Sequence, residues 1–224
     1  MIANNPFASE EITPPFNDEW VAKRRVAEAI RKLSEALVTS SPSIEEMHVI
    51  AEKLEATGAE FREAPRIFGR KSWAEIGEHG NYGQISHELN PLAGWSNPIA
   101  PPVNTWIDGE RAHATCECGW AYEGPPGSVH GGMVAAIFDQ FLGVAQIIGG
   151  QPGMTGYLQV NYHNRTPVNT QLKLEASLVK VEGRKTIMRG EMFADGIMTA
   201  SCEGLFVQPR GGMMSIKTLD VPKR

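Results

Sequence analysis

Between residues 17 and 61 apolar side chains recur at helical spacing. Val26, Ile30, Leu33 and Leu37 stand at i, i+4, i+7 and i+11 between charged neighbours, which predicts one apolar stripe along a helix. Asn17 is placed to cap that helix, with Phe16 and Val21 as a hydrophobic staple across the cap. Ser41-Pro42-Ser43 breaks the period. Ser43 with Glu46 reads as a capping box, Ile44, Met47, Ala51 and Leu54 form a second stripe, and Gly58 suits a C-terminal cap. Two amphipathic helices need a surface on which to bury their stripes.

The pattern then changes. Over 64–105 the prolines at 65, 91, 98, 101 and 102 and several glycines interrupt any period, while Trp73 and Trp95 add aromatic bulk. This segment is expected to pack on the domain that follows, either walling a pocket or simply wrapping it. From 106 onward strand composition appears in ERAHATCECGWAYE, and four further strand-like runs follow at about 155–163, 170–182, 185–194 and 197–207. Glu182-Gly183 and Asp195-Gly196 mark tight hairpins. Between the first strand and the other four lies a stretch, about 131–148, whose Met133, Val134, Ile137, Phe138, Phe141, Leu142 and Val144 leave almost no polar face. A helix apolar all round belongs inside a protein, so an α+β plan follows, with a sheet wrapped around one central helix. The expected organisation is 1–63 helical extension, 64–105 connector, 106–208 principal domain and 209–224 tail.

Composition narrows the function. A net charge of −5 and a pI of about 5.7 provide no basic surplus for nucleic acid. No run of about 18 consecutive apolar residues appears and the first residues lack a signal-peptide pattern, so a cytoplasmic protein without a membrane partner is expected. Cys116, Cys118 and Cys202 form an odd set, which fits a reducing compartment better than a disulfide framework. Cys116 and Cys118 with nearby His113 have no second ligand cluster to complete a zinc site, so they are read as strand thiols and no metal or cofactor is expected.

Chemistry concentrates in SVHGGMVAAIFDQFLG. The N–H groups of a first helical turn and the helix dipole suit an anion or a developing oxyanion, and the glycines of His130-Gly131-Gly132 allow close approach. A glycine-rich helix start beside a hydrogen-bonded histidine is the plainer account of the same residues. Asp139, in mid-helix, is either tied to backbone or hydroxyl donors or poised as a base by apolar surroundings that raise its proton affinity. It follows Gly131 by eight residues, roughly 12 Å along the axis, too far for one site within one helix. Antiparallel helices of two paired chains would bring one Gly131 near the other Asp139.

VHGGMVAAIFDQFLG, GMTGYLQVNYHNRTPV and DGIMTASCEGLFV together resemble the hot-dog-fold acyl-CoA thioesterases, closest to the phenylacetate-pathway type and its relatives among the thioesterase superfamily members. The resemblance covers about 106–208. It implies a homodimer or dimer of dimers, an acyl-CoA substrate, and coenzyme A only as part of substrate and product. Gly131 would polarise the thioester carbonyl through its N–H, His130 would shape the turn, and Asp139 from the partner chain would act as general base or as nucleophile. Thr155 matches a position whose hydroxyl orients the attacking water. Gly132, Gln140 and Phe138 are expected to contact substrate, and Arg165, Arg184 and Lys185, with Arg210, to meet the phosphates of coenzyme A. Some relatives carry Asn six residues before the histidine, where this chain has Gly124. The competing readings are a hydratase or dehydratase on the same fold and a non-catalytic acyl-CoA binding or sensing module.

Overall fold

The computed structural model describes residues 6–212; the first five residues and the expected tail beyond 212 lie outside the described residues. The chain divides into two compact units, Pro14–Ile99 and Met1–Thr13 with Ala100–Arg224.

In the helical unit, α1 (Asp18–Thr39) is capped by Asn17, whose side chain accepts from the Trp20 N–H, and α2 (Ile44–Glu63) starts in the Ser43–Glu46 capping box. Gly58 does not end α2. The helix runs five residues further and stops at Ala64, because the following Pro65 favours an extended residue before it. Phe16 and Val21 are both about half exposed, so they are not a buried staple. The proline-rich segment contains two short helices, α3 (Arg70–Ile76) and α4 (Tyr82–Leu89), which its broken period hid. Side chains tie them to α1. Trp20, fully buried, donates its indole N–H to the His79 carbonyl at 2.8 Å and lies 5.4 Å from the Trp73 ring. Arg24 grips the buried Glu88 carboxylate with contacts of 2.7 and 3.1 Å, and Ser96 donates to the same carboxylate at 2.6 Å. The helices and most of 64–105 thus share one compact unit. The face of α1 that docks here carries Trp20, Arg24 and Ala27, while the stripe of Val26, Ile30, Leu33 and Leu37 remains exposed.

The second unit is built on six antiparallel strands in the order β1-β2-β4-β5-β6-β3. They are β1 (Asn104–Asp108), β2 (Arg111–Glu117), β3 (Met154–Tyr162), β4 (Gln171–Glu182), β5 (Lys185–Ala194) and β6 (Ile197–Val207). β1 was absent from the expected strands. It pairs only β2, and on its free side the Ile107 N–H donates to the Phe7 carbonyl while Asn104 Nδ2 donates to that of Glu10. The run read as one strand to 123 stops at Glu117, and a 3₁₀ turn at Trp120–Tyr122 follows. Both hairpins form where the turn residues indicated, with positive φ at Gly183 and at Asp195 and Gly196.

Helix α5 (Gly131–Ala145) packs against one face of the sheet and passes into a 3₁₀ turn at Gln146–Gly149, three residues short of a continuous α-helix to 148. Val134, Ile137, Phe138, Phe141, Leu142, Val144 and Ala145 are buried against inward side chains such as Leu172, Leu174, Met188, Met192 and Phe206. Gly190 and Gly204 let the helix come close. A Cβ at either would lie 2.9 or 3.1 Å from a methyl of Leu142. The stretch 131–149 is long and apolar enough to cross a membrane, and this packing accounts for its apolarity. A curved sheet around one helix is the hot-dog fold that the resemblance implied.

On the side away from the sheet the helix is open in the single chain: Gly132 and Asp139 are exposed and Ala136 and Gly143 are only partly covered. These positions recur at i, i+4, i+7 and i+11, one narrow stripe of small residues and a carboxylate, open in the single chain. The adjacent edge strand β3 is exposed over most of its length.

Candidate active site

The start of α5 is held by backbone contacts from two segments. The His130 N–H donates to the Tyr122 carbonyl at 2.9 Å, and the Val129 N–H to that of Thr166 at 2.8 Å. Ahead of it, Glu123 Oε1 accepts from the Gly127 N–H at 2.6 Å and closes the loop around the Pro-Pro turn. Gly124 lies against the histidine, so a Cβ there would sit 2.7 Å from His130 Cα. That close approach means a side chain at this position, an amide included, would force the His130 backbone to shift.

His130 is the N-cap. Its Nδ1 accepts from the Gly132 N–H at 3.0 Å, and its carbonyl takes the Met133 and Val134 N–H groups. Among the described residues the Gly131 N–H has no acceptor, so it is the first-turn donor left free at the helix's positive end. With Nδ1 committed as an acceptor, the histidine shapes the turn. Tyr162, which sequence reasoning passed over, donates its hydroxyl to the Gly131 carbonyl at 2.8 Å. Its only signal was its place in the VNYHN strand.

Asp139 accepts a 2.8 Å hydrogen bond from Thr155 Oγ1 at the start of β3. Position and bonding, not burial, define this carboxylate: it sits on the exposed side of α5 because its helical turn faces away from the sheet. Gln146, buried, sets the start of β3. Its Nε2 donates to the Gly153 carbonyl at 2.9 Å and its Oε1 accepts from the Gly153 N–H at 2.8 Å. Inside the fold, burial pushes the Cys202 thiol up to about 11; the Gln159 backbone hydrogen bond works against that, and the Asp139 and Glu203 charges add to it. The thiol beside Asp139 is therefore neutral at physiological pH.

The other residues separate by position. Gln140 lies next to Asp139, half-buried. Phe138 is fully buried and faces Gly190 of β5, so it belongs to the core and lies away from the open stripe. Arg165 follows β3 and adjoins the Thr166 carbonyl that holds Val129, close to the start of α5. Arg184 and Lys185 sit at the β4–β5 turn, by the far end of α5, where Gly149 meets Thr186 and Val181. Arg184 donates to the Gln208 carbonyl at 2.8 Å. Cys116 and Cys118 are both buried, and the Cys118 hydrogen bond, with burial, pushes the Cys116 thiol up. His113 points to the other face of β2 and stacks on Trp106. Among the described residues no three His, Cys, Asp or Glu side chains gather as a metal site.

The family model of the thioesterase superfamily matches residues 126–201, from the loop before α5 into β6. A crystal structure of a thioesterase superfamily protein is 33% identical, covering 87% of this chain and 97% of that one, with a TM-score of 0.71. Among curated proteins, acyl-coenzyme A thioesterase THEM4 of Xenopus laevis is 30% identical over 88 residues, 38% of this chain and 40% of that protein. THEM4 of Mus musculus is 37% identical over 76 residues, 34% of this chain and 33% of that protein. The chain thus spans about two fifths or less of the length of these curated relatives. The crystal structure, in contrast, is matched over nearly its whole length at one-third identity, a span the sheet-bearing unit alone cannot supply. On that match, the chain belongs to the thioesterase superfamily.

Proposed function

We propose that this protein hydrolyses acyl-CoA thioesters to the free acid and coenzyme A, in a site shared between two copies of the chain. The observation that carries the proposal is the pairing of one free donor with one hydroxyl-bonded carboxylate on the open stripe of α5. The Gly131 N–H is unclaimed at the positive end of the helix, and Asp139 is held by Thr155. Eight residues of helix separate them by about 12 Å, so a thioester bound at Gly131 needs an Asp139 from elsewhere. A second α5 running antiparallel along the small-residue stripe supplies it, and the exposed edge of β3 offers a matching surface for the partner sheet.

In this reading the Asp139 carboxylate removes a proton from water, and Thr155 holds the carboxylate in place. The resulting hydroxide adds to the thioester carbonyl carbon, and the carbonyl electrons move to oxygen, where the Gly131 N–H stabilises the charge. Collapse of the tetrahedral adduct breaks the C–S bond and releases the thiolate of coenzyme A, which takes up the proton. Direct attack by Asp139 uses the same residues and passes through an anhydride. Gly132 and Gln140 flank the reacting group, and Arg165, Arg184 and Lys185 supply cations for the phosphates. Relatives that carry the name acyl-coenzyme A thioesterase support the substrate class. The unpaired thiols fit a reducing, cytoplasmic setting.

The test is release of free thiol from short, medium, long and aromatic acyl-CoAs by the wild-type chain and by Asp139→Asn. Thiol release that Asp139→Asn abolishes is the expected result. Binding of acyl-CoA without thiol release across the whole panel would overturn the proposal in favour of a binding module.

A further inference from the structure

Helix α2 is the largest feature of the molecule that neither the fold nor the site explains. Its twenty residues include none that is buried. A helix of that length is marginal in water without a packed face. Yet Ile44, Met47, Ala51, Leu54, Gly58 and Phe61 alternate in steps of three and four, the seam of a helix that packs along another helix. Ile44, Met47, Leu54 and Phe61 are 72%, 43%, 47% and 62% exposed, and the small Ala51 and Gly58 between them permit close approach.

A complementary surface exists on α1. The stripe of Val26, Ile30, Leu33 and Leu37 lies about 120° around the helix from the face of Trp20, Arg24 and Ala27 that docks on α3 and α4. The stripe is therefore not what holds α1 to its own unit, and all four side chains are exposed. The charges also complement each other. α2 carries six glutamates against one lysine and one arginine. α1 carries five lysines and arginines against four acids, and beside its stripe, away from the docked face, Arg25 stands exposed next to Lys32, which lies 3.5 Å from Glu28. The acidic balance of α2 disfavours an anionic lipid surface or nucleic acid as the occupant. Within the chain the two stripes do not meet. Ser40 and Ser43 are both extended on either side of Pro42, and α1 and α2 do not pack along each other.

We propose that α2 docks its apolar seam on the α1 stripe of a second copy of this chain, and that the two copies exchange these helices reciprocally. Reciprocal exchange makes the contact isologous and closed, so both α2 seams and both α1 stripes are covered at once. The proposal is independent of the catalytic reading.

Ile30 and Leu54 lie near the middles of their helices, so they come close whichever way the helices run. Tagged Ile30→Cys chain is mixed with untagged Leu54→Cys chain and treated with a short bismaleimide; Cys116, Cys118 and Cys202 are buried. The expected product joins one tagged to one untagged copy, and Leu37→Glu in the tagged chain lowers its yield at least tenfold. Cross-linking only within one chain of the Ile30→Cys/Leu54→Cys double variant would assign the seam to the chain's own α1 and overturn the proposal. No product in either sample would leave the seam to a different partner, or to none, and overturn it equally.

Discussion

Thr155 Oγ1 donates to Asp139 Oδ1 at 2.8 Å, joining the first residues of β3 to the middle of α5 within one chain. The proposed water-activating carboxylate is therefore oriented by its own chain, whereas the proposed mechanism takes its oxyanion donor from a second copy. Hydrogen bonds to charged groups contribute about 1.5–3 kcal/mol, so Thr155→Val is expected to lower kcat roughly tenfold to a hundredfold. Thr155→Ser, which keeps the hydroxyl, is expected to retain most of the activity. Steady-state kinetics on the two variants test the role, and equal losses in both would assign the effect to packing.

The Gly131 N–H can be removed without disturbing the helix. Proline is favoured at the first helical position, and His130 already has φ −58 and ψ 132, the extended conformation that a residue before proline adopts. Gly131→Pro is expected to keep the fold and the melting temperature while kcat falls about a hundredfold to a thousandfold. Gly131→Ala, whose added Cβ would meet only Tyr162 at an ordinary 3.5 Å, is the control that retains the donor. Unchanged kcat in the proline variant would remove Gly131 from the mechanism.

Gly124 stands where some relatives carry an asparagine. A Cβ there would lie 2.7 Å from His130 Cα, a backbone atom that cannot swing aside. Gly124→Asn is expected to cost about 1–3 kcal/mol of stability, read as a lower denaturation midpoint, with no gain in kcat.

His87 in the helical unit is held down to about 4 by burial, with Arg24 adding to the effect and Glu88 opposing it; its Nε2 is buried without a partner. The folded state thus favours the neutral ring. The associated stability is fully present above about pH 6.5, the unfolded value, and is lost as pH falls through 4. The full loss is on the order of 3 kcal/mol. Thermal melts between pH 7.5 and 4 are expected to show this fall in the wild-type chain and a smaller one in His87→Phe; parallel falls in both would place the acid sensitivity elsewhere.

Local patterns in the sequence determined a great deal. Capping residues, the hairpin glycines and the run of apolar residues from Met133 to Val144 announced α1, α2, α5 and strands β3 to β6, because each is governed by neighbours a few residues apart. The short helices α3 and α4 were hidden by the glycines at 69, 77, 80 and 83, which interrupt their period, and β1 was hidden because its pairing depends on residues such as Thr115 and Ala114 rather than on its own composition.

At the site, His130-Gly131-Gly132 and Asp139 were legible as residue types at a telling spacing. Only the tertiary structure decided which side of α5 faces the sheet, so that Phe138 became core and Asp139 became exposed. It alone brought Thr155 onto Asp139, Tyr162 onto the Gly131 carbonyl and His130 against Gly124. Those contacts join residues 6 to 31 positions apart, and the register of a sheet closing on a helix sets them, not the periodicity of either. The same division holds in the helical unit. The stripes of α1 and α2 follow from a period of 3.6, whereas the choice of Trp20 and Arg24 over Val26 and Ile30 as the docked face came from what α3 and α4 present to it.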